Sequence, residues 1–232
     1  MTRLEYGIAR VRGDLPRDFP TRAMSGGVDM KFGERLNAGI EGFKANAVAL
    51  IVGMLLASIV SIVSLGILAG PMFVGLCGMA LKAARKQTTE IGDVFEILQK
   101  HLVPAIILGL VLSVVFFVGG VIPAFALAYL VHPLLAIPVY LLAILLIAPI
   151  AAWSYYRMAD KREDFKTTLL WTVDLLKRDA VNTILTPIAF MFPAVIVGAI
   201  LCGIGQFVTV PIAYIAIAKA YEDTAAGGKA AV

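Results

Sequence analysis

Between Ala45 and Leu81 the chain runs thirty-seven residues without an Asp, Glu, Lys or Arg, interrupted only by the pair Gly70-Pro71. A helix needs roughly 20 apolar residues to cross about 30 Å of hydrocarbon. The stretch is therefore too long for one ordinary crossing and about right for two joined by a tight turn. Blocks 101–156 and 180–218 are free of these charges in the same way. Composition agrees: 60% of the 232 residues are hydrophobic and 16% charged, whereas soluble domains average about 45–50% and about 25%. Mean hydropathy is +0.89. The chain reads as an all-α integral membrane protein.

Residues 1–30 form a polar arm containing Gly13, Pro16, Pro20 and Gly26-Gly27, with arginines and aspartates mixed along it. It has no apolar core of a secretory signal, so the first block is expected to act as its own insertion signal. From Lys31 onward, Phe32, Leu36, Ile40 and Phe43 recur at helical spacing, which predicts an amphipathic helix lying in the membrane interface. Gly33, Gly39 and Gly42 each cost up to about 1 kcal/mol relative to Ala, so contact with lipid or with other helices must stabilise it. Similar stripes occupy the two later charged belts: Ile91, Val94, Phe95 and Leu98, then Phe165, Leu169, Val173 and Leu176. Aligning Phe32 with Phe165 brings Lys44 onto Lys177, and Lys100 holds the corresponding place before the second block. The pattern suggests one unit used three times.

The expected membrane domain is 31–222, with hairpins at about 45–86, 101–157 and 180–219, and a disordered tail at 223–232. Outer turns are expected at Gly70-Pro71 and around Gly203 and Gly205. In the second block either Gly119–Pro123 or His132–Pro138 can supply the turn, the latter giving better-balanced arms. Gly53, Ala57 and Ser61, and later Ala194, Gly198 and Cys202, are small residues at four-residue spacing that let helix backbones approach. Cys77 and Cys202 read as small contact residues, or as a bridge near the outer face.

Charge sets the expected topology. Of 20 Lys and Arg, 8 lie in 1–44, 4 in 82–100, 6 in 157–179 and 2 in the tail. If each of the three blocks crosses twice, all of them fall on one side. Basic residues beside membrane segments mark the cytoplasmic face, so six crossings with both termini cytoplasmic are expected. The net charge of +4 then belongs to membrane flanks and not to nucleic-acid binding.

No Asp, Glu, Lys or Arg lies inside a block, which argues against proton relays and voltage sensing. His101 and His132, about 46 Å apart along a helix, are poorly placed to share a metal or haem. The chain carries no phosphate-binding loop, zinc-protease motif or serine-hydrolase elbow. No catalytic residue, cofactor or metal site is assigned.

The run Gly70-Pro71-Met72-Phe73-Val74-Gly75-Leu76, the later Asp93-Val94-Phe95, and Cys202-Gly203-Ile204-Gly205 followed by Thr209 and Pro211 resemble a broad group of bacterial inner-membrane proteins. That group is mostly without assigned function, and a related membrane domain precedes the catalytic domain of some glycerophosphodiester phosphodiesterases. The resemblance covers about 31–223. It implies a multi-helix membrane domain without that catalytic domain, because neither His101-Leu102 nor His132-Pro133 resembles its His-Arg-Gly start.

These readings lead to a non-enzymatic protein of the bacterial cytoplasmic membrane acting through lipid or protein contacts, as scaffold, accessory subunit or modulator of membrane properties. Its expected partners are membrane lipid and a protein or second copy of the chain. The rival is a small transporter or channel for an uncharged or amphiphilic molecule. A polar cavity formed by Ser58, Ser61, Ser64, Asn182, Thr186 and Gln206 would favour the rival. A dry, closely packed bundle would favour the scaffold.

Overall fold

Inside hydrocarbon a backbone must satisfy its own amides, and an apolar chain does so most simply as helices. The structure, a computed structural model, describes residues 28–96, 101–201 and 203–226, and among them no strand occurs. The elements are α1 (Val28–Val63), α2 (Ala69–Ala84), a 3-10 turn (Ile91–Phe95), α3 (Leu102–Phe116), a π turn (Phe117–Val121), α4 (Ile122–Leu130), α5 (Pro133–Lys161), α6 (Phe165–Arg178), α7 (Ala180–Ile200) and α8 (Gln206–Ala226). Leu98, Lys100, Cys202, nearly all of the polar arm and the end of the tail lie outside the described residues.

Four stretches are long and apolar enough to cross a membrane: Lys31–Val63, Leu102–Leu130, Pro133–Lys161 and Ala180–Ile200. The apolar helix α2 is shorter, and α8 carries Lys219, Glu222 and Asp223 in its last turns. Both occupy the centre of the packing. α2 touches α1, α3, α5, α8 and the 3-10 turn, and α8 touches α1, α2 and α7. Met72, Met79, Leu81, Ile215, Ile217 and Tyr221 are almost completely buried there, together with Trp153 and Tyr156 of α5.

Helix α1 changes direction at Asn46, whose φ of −130° and ψ of 19° are not helical. The side chain accounts for the break. Its Nδ2 donates to the Gly42 carbonyl at 3.1 Å and to the Gln87 carbonyl at 3.4 Å, while Oδ1 accepts from the Thr89 amide at 2.8 Å. The residue that opens the first apolar run thus pins the loop after α2 against α1. Before the break, α1 leans on α8: a Cβ at Gly39 would lie 2.7 Å from the Ile212 carbonyl oxygen. Gly39 and Gly42, which weaken this helix in isolation, permit its contact with the core, whereas a Cβ at Gly33 would meet nothing within 4 Å.

The first turn differs from expectation. Gly70 and Pro71 belong to the first turn of α2 and are buried. Proline suits that position because its missing N–H would have no intrahelical acceptor. The chain reverses at Ser64–Leu68, with Leu65 and Gly66 at φ of 52° and 85° and the Ser64 hydroxyl accepting from the Leu68 amide at 3.1 Å. Gly70 serves close approach: a Cβ there would sit 2.7 Å from the Ala105 carbonyl oxygen and 2.8 Å from Gly109 Cα.

The second block reverses at His132, whose Nδ1 accepts from the Leu134 amide at 3.2 Å to cap α5. Gly119-Gly120 lies in the π turn between α3 and α4, and Pro123 follows at the start of α4. A π turn changes the local hydrogen-bond pattern, so proline's missing donor does not end the run. The expected disordered tail also needs correction at its start. α8 continues to Ala226, and Asp223 pairs with Arg35 of α1 at 3.1 Å.

Candidate functional site

The most chemically populated region forms where the charged ends of the helices converge. Lys82 and Arg85 close α2. Lys82 Nζ lies 2.8 Å from Asp93 and 3.3 Å from Glu96, beside the 3-10 turn. That turn is started by a reciprocal cap between Glu90 and Asp93, so Asp93 both begins the turn and receives the lysine. Glu96 also pairs with Arg162. Arg162 caps α5 with a left-handed φ of 53°, a conformation usually left to Gly or Asn. A second chain of alternating sign runs from α5 to α8. Asp160 receives Arg85 Nη2 at 2.6 Å and Lys161 at 2.9 Å, while Arg85 Nε donates to Glu222 at 2.7 Å.

The two chains border a cavity of about 160 Å³ whose floor is the α2 backbone at Gly75 and Gly78. Gly75 brings the 3-10 turn to that wall: a Cβ there would stand 2.1 Å from the Val94 carbonyl oxygen. Nearby, Tyr221 stacks on Tyr156 with ring centroids 6.1 Å apart, meets Trp171 edge-on at 5.8 Å, and donates to Asp160 at 3.1 Å. Arg157 rests 4.9 Å above the Trp171 ring and holds Glu163 through two hydrogen bonds. The ionic groups are thereby tied to the aromatic part of the core.

Burial pushes the Glu96 carboxyl upward, but hydrogen bonds and charge attraction from Lys82 and Arg162 outweigh it and hold it below the ordinary glutamate range. Its contribution to stability is therefore complete above about pH 4.3, the ordinary unfolded value. It is lost as pH falls through the depressed folded value. Glu96→Gln is expected to flatten the acid side of a Tm-against-pH profile of the detergent-solubilised protein. Equal acid slopes for the variant and the parent would refute this.

The residues singled out in the sequence lie elsewhere and do not form one site. Gly53 faces Met79, Ala57 is buried, and the Ser61 hydroxyl bonds its own helix at the Ala57 carbonyl. Gly198 faces Gln206 and Thr209 across the α7–α8 turn, where Gly203 takes φ of 78° and Gly205 packs on Leu201. Phe32 stacks on Phe190 with centroids 4.7 Å apart. Leu36, Phe43 and Phe95 pack against the main core, and Phe165 and Leu169 against a second cluster around Leu108 and Met158. Ile40 and Leu176 are half-buried and Ile91 is exposed. Leu98 and Cys202 fall outside the described residues; Cys77 is buried with a free thiol.

The ionic chains went unread because the belts look basic and their acids lie off the apolar stripes. A usable signal was present in two of the descending arms, which end in opposite charges within two turns: Asp160-Lys161-Arg162, and Lys219 with Glu222-Asp223. On α6 the buried centre is Thr168 and Thr172, while Val173 of the expected stripe is 42% exposed. The Thr172 hydroxyl meets Ser154 at 3.0 Å, so a polar contact sets that helix's rotation. Among the described residues no group of His, Cys, Asp and Glu is arranged to hold a metal ion.

Comparison with protein-family models, with curated proteins and with solved structures finds no match to this chain.

Proposed function

We propose that this is a non-enzymatic helical protein of the bacterial cytoplasmic membrane that works through contacts with lipid or a protein partner. It would cross the membrane six times as three hairpins, with α2 and α8 as the shielded return arms. A helix surrounded by protein need not present a full apolar run to lipid, so their shortness and terminal charges are compatible with crossing. The bacterial setting rests on the sequence resemblance, and the orientation on the one-sided distribution of Lys and Arg. Reporters inserted at Gly66, His132 and Gly203 are expected to read external. A cytoplasmic signal at any of them would undo that hairpin.

The observation that carries the functional reading is how the helices meet. Gly70 faces Gly109, Gly53 faces Met79 and Gly198 faces Thr209, each at a separation too small for a side chain. Four of the six polar residues expected to line a solute path are occupied locally instead. Ser58, Ser61 and Ser64 bond carbonyls of their own segment, and Asn182 bonds Asp179. Close packing of this kind favours a scaffold over a conduit. Purification in mild detergent followed by native mass spectrometry is expected to retain one lipid class or one partner reproducibly. A bare protein that carries a specific solute flux in liposomes would favour the transporter reading and overturn this one.

A further inference from the structure

The cavity at the charged end has a composition that selects among ligands. Its charged lining comprises Lys82, Arg85 and Arg162 against Asp93, Glu96 and Asp160. A simple anion or cation entering it would meet as many repulsive as attractive groups. A dipolar ion would satisfy both sets. Several cationic donors, two of them guanidinium forks, suit the multiple acceptor oxygens of a phosphate. Carboxylates are acceptors for the three donors of a primary ammonium. Recognition of a quaternary ammonium commonly uses an aromatic cage, and none of the described lining residues is aromatic.

Gly78 supplies an independent observation. It sits inside α2, where glycine costs about 1 kcal/mol relative to alanine, yet a Cβ there would meet nothing within 4 Å. Packing therefore does not require this glycine, in contrast to Gly75. What its missing side chain preserves is cavity space beside the α2 backbone. The surrounding pairs can rearrange around a guest, since Lys82, Glu96, Arg85 and Arg162 keep 34–39% of their side-chain surface exposed.

We propose that this cavity binds a zwitterion carrying a primary ammonium and a phosphate, the phosphoethanolamine unit. The unit can arrive as the headgroup of phosphatidylethanolamine or as free phosphoethanolamine. This assignment rests on the lipid-contact reading above and narrows it to one headgroup chemistry.

The test uses the full chain in mild detergent, with native mass spectrometry during titration of phosphatidylethanolamine, phosphatidylglycerol and phosphatidylcholine in turn. Calorimetry with free phosphoethanolamine forms a parallel arm. Phosphatidylethanolamine is expected to be retained about tenfold better than the other two, a difference near 1.4 kcal/mol. Gly78→Leu, which fills the cavity, is expected to abolish the preference while leaving Tm within a few degrees. Should Gly78→Leu fail to fold, Gly78→Ala must weaken the preference measurably. Calorimetric binding of free phosphoethanolamine as tight as that of the lipid would assign the site to the soluble ligand. No preference among the three lipids and no calorimetric heat would overturn the proposal, as would an unchanged preference in a folded Gly78 variant. Retention of phosphatidylglycerol or a protein partner instead would leave the broader reading standing, whereas specific solute flux would remove both.

Discussion

Gly75→Ala is expected to destabilise the protein by roughly 3 kcal/mol and to lift the 3-10 turn from its seat, at the upper end of the usual cost of overpacking. The added Cβ would meet the Val94 carbonyl oxygen at 2.1 Å, its carbon at 2.9 Å and its Cα at 3.2 Å. All three are backbone atoms, so no rotamer change can relieve the contact. Either α2 or the turn must move in a close-packed interior that yields little. Because Val94 is fully buried, movement of the turn also exposes an apolar side chain. Asp93 moves with it, which strains its 2.8 Å contact with Lys82. Equilibrium unfolding in mixed micelles measures the loss, and thiol labelling of a Val94→Cys reporter detects the displaced turn. Gly78→Ala provides the internal control, three residues along the same helix with nothing within 4 Å of its Cβ. It is expected to leave stability unchanged or raise it by up to about 1 kcal/mol. Equal Tm values for Gly75→Ala and the parent would show that the turn is not seated as described.

That pair of glycines shows where the sequence is informative and where it is not. Charge-free blocks are visible because hydrophobicity is a local property; Leu102–Leu130 and Ala180–Ile200 lie within them, while Lys31–Val63 and Pro133–Lys161 run on into the charged belts. The purpose of a particular glycine is not local. Gly70, Gly66 and Gly203 look alike in apolar sequence, yet Gly70 is buried against Gly109 while the other two adopt positive φ in turns. Leu65, at φ of 52°, gives no sign that it belongs to a turn, since leucine rarely takes that conformation. The ionic site was hidden for a related reason. Arg35 with Asp223 and Arg85 with Glu222 join positions 188 and 137 residues apart, far beyond helical periodicity. The rotation of α6 about Thr168 and Thr172 was unreadable too, because Ser154 on α5 supplies the partner. Gly75 meets Val94, and Thr209 donates to the Ala194 carbonyl at 2.7 Å, two further pairings that no local pattern announces.

Asp160→Ala is expected to cost roughly 3 kcal/mol, the lower end of the range for removing one partner of a buried ion pair. The Asp160 side chain is only 9% exposed and accepts from Arg85, Lys161 and the Tyr221 hydroxyl. Three donors thus lose one acceptor. Arg85, 39% exposed, can recover some hydration and keeps Glu222, which holds the cost below the top of that range. Tyr221 has no such relief, since its residue is fully buried against Trp153, Tyr156 and Trp171. The position matters because Asp160 joins three elements: α5 by covalent continuity, α2 through Arg85 and α8 through Tyr221. Its loss should loosen the charged ends of α2, α5 and α8 together while leaving helix content intact. Hydrogen exchange is expected to rise at the last turns of α2, α5 and α8 and to stay unchanged around His132. Asp160→Asn, which retains an acceptor of similar shape without the charge, is expected to recover part of the loss. A change confined to α5, or a cost equal to that of Glu222→Ala alone, would show that Asp160 is merely one surface charge among several and not the junction of α2, α5 and α8.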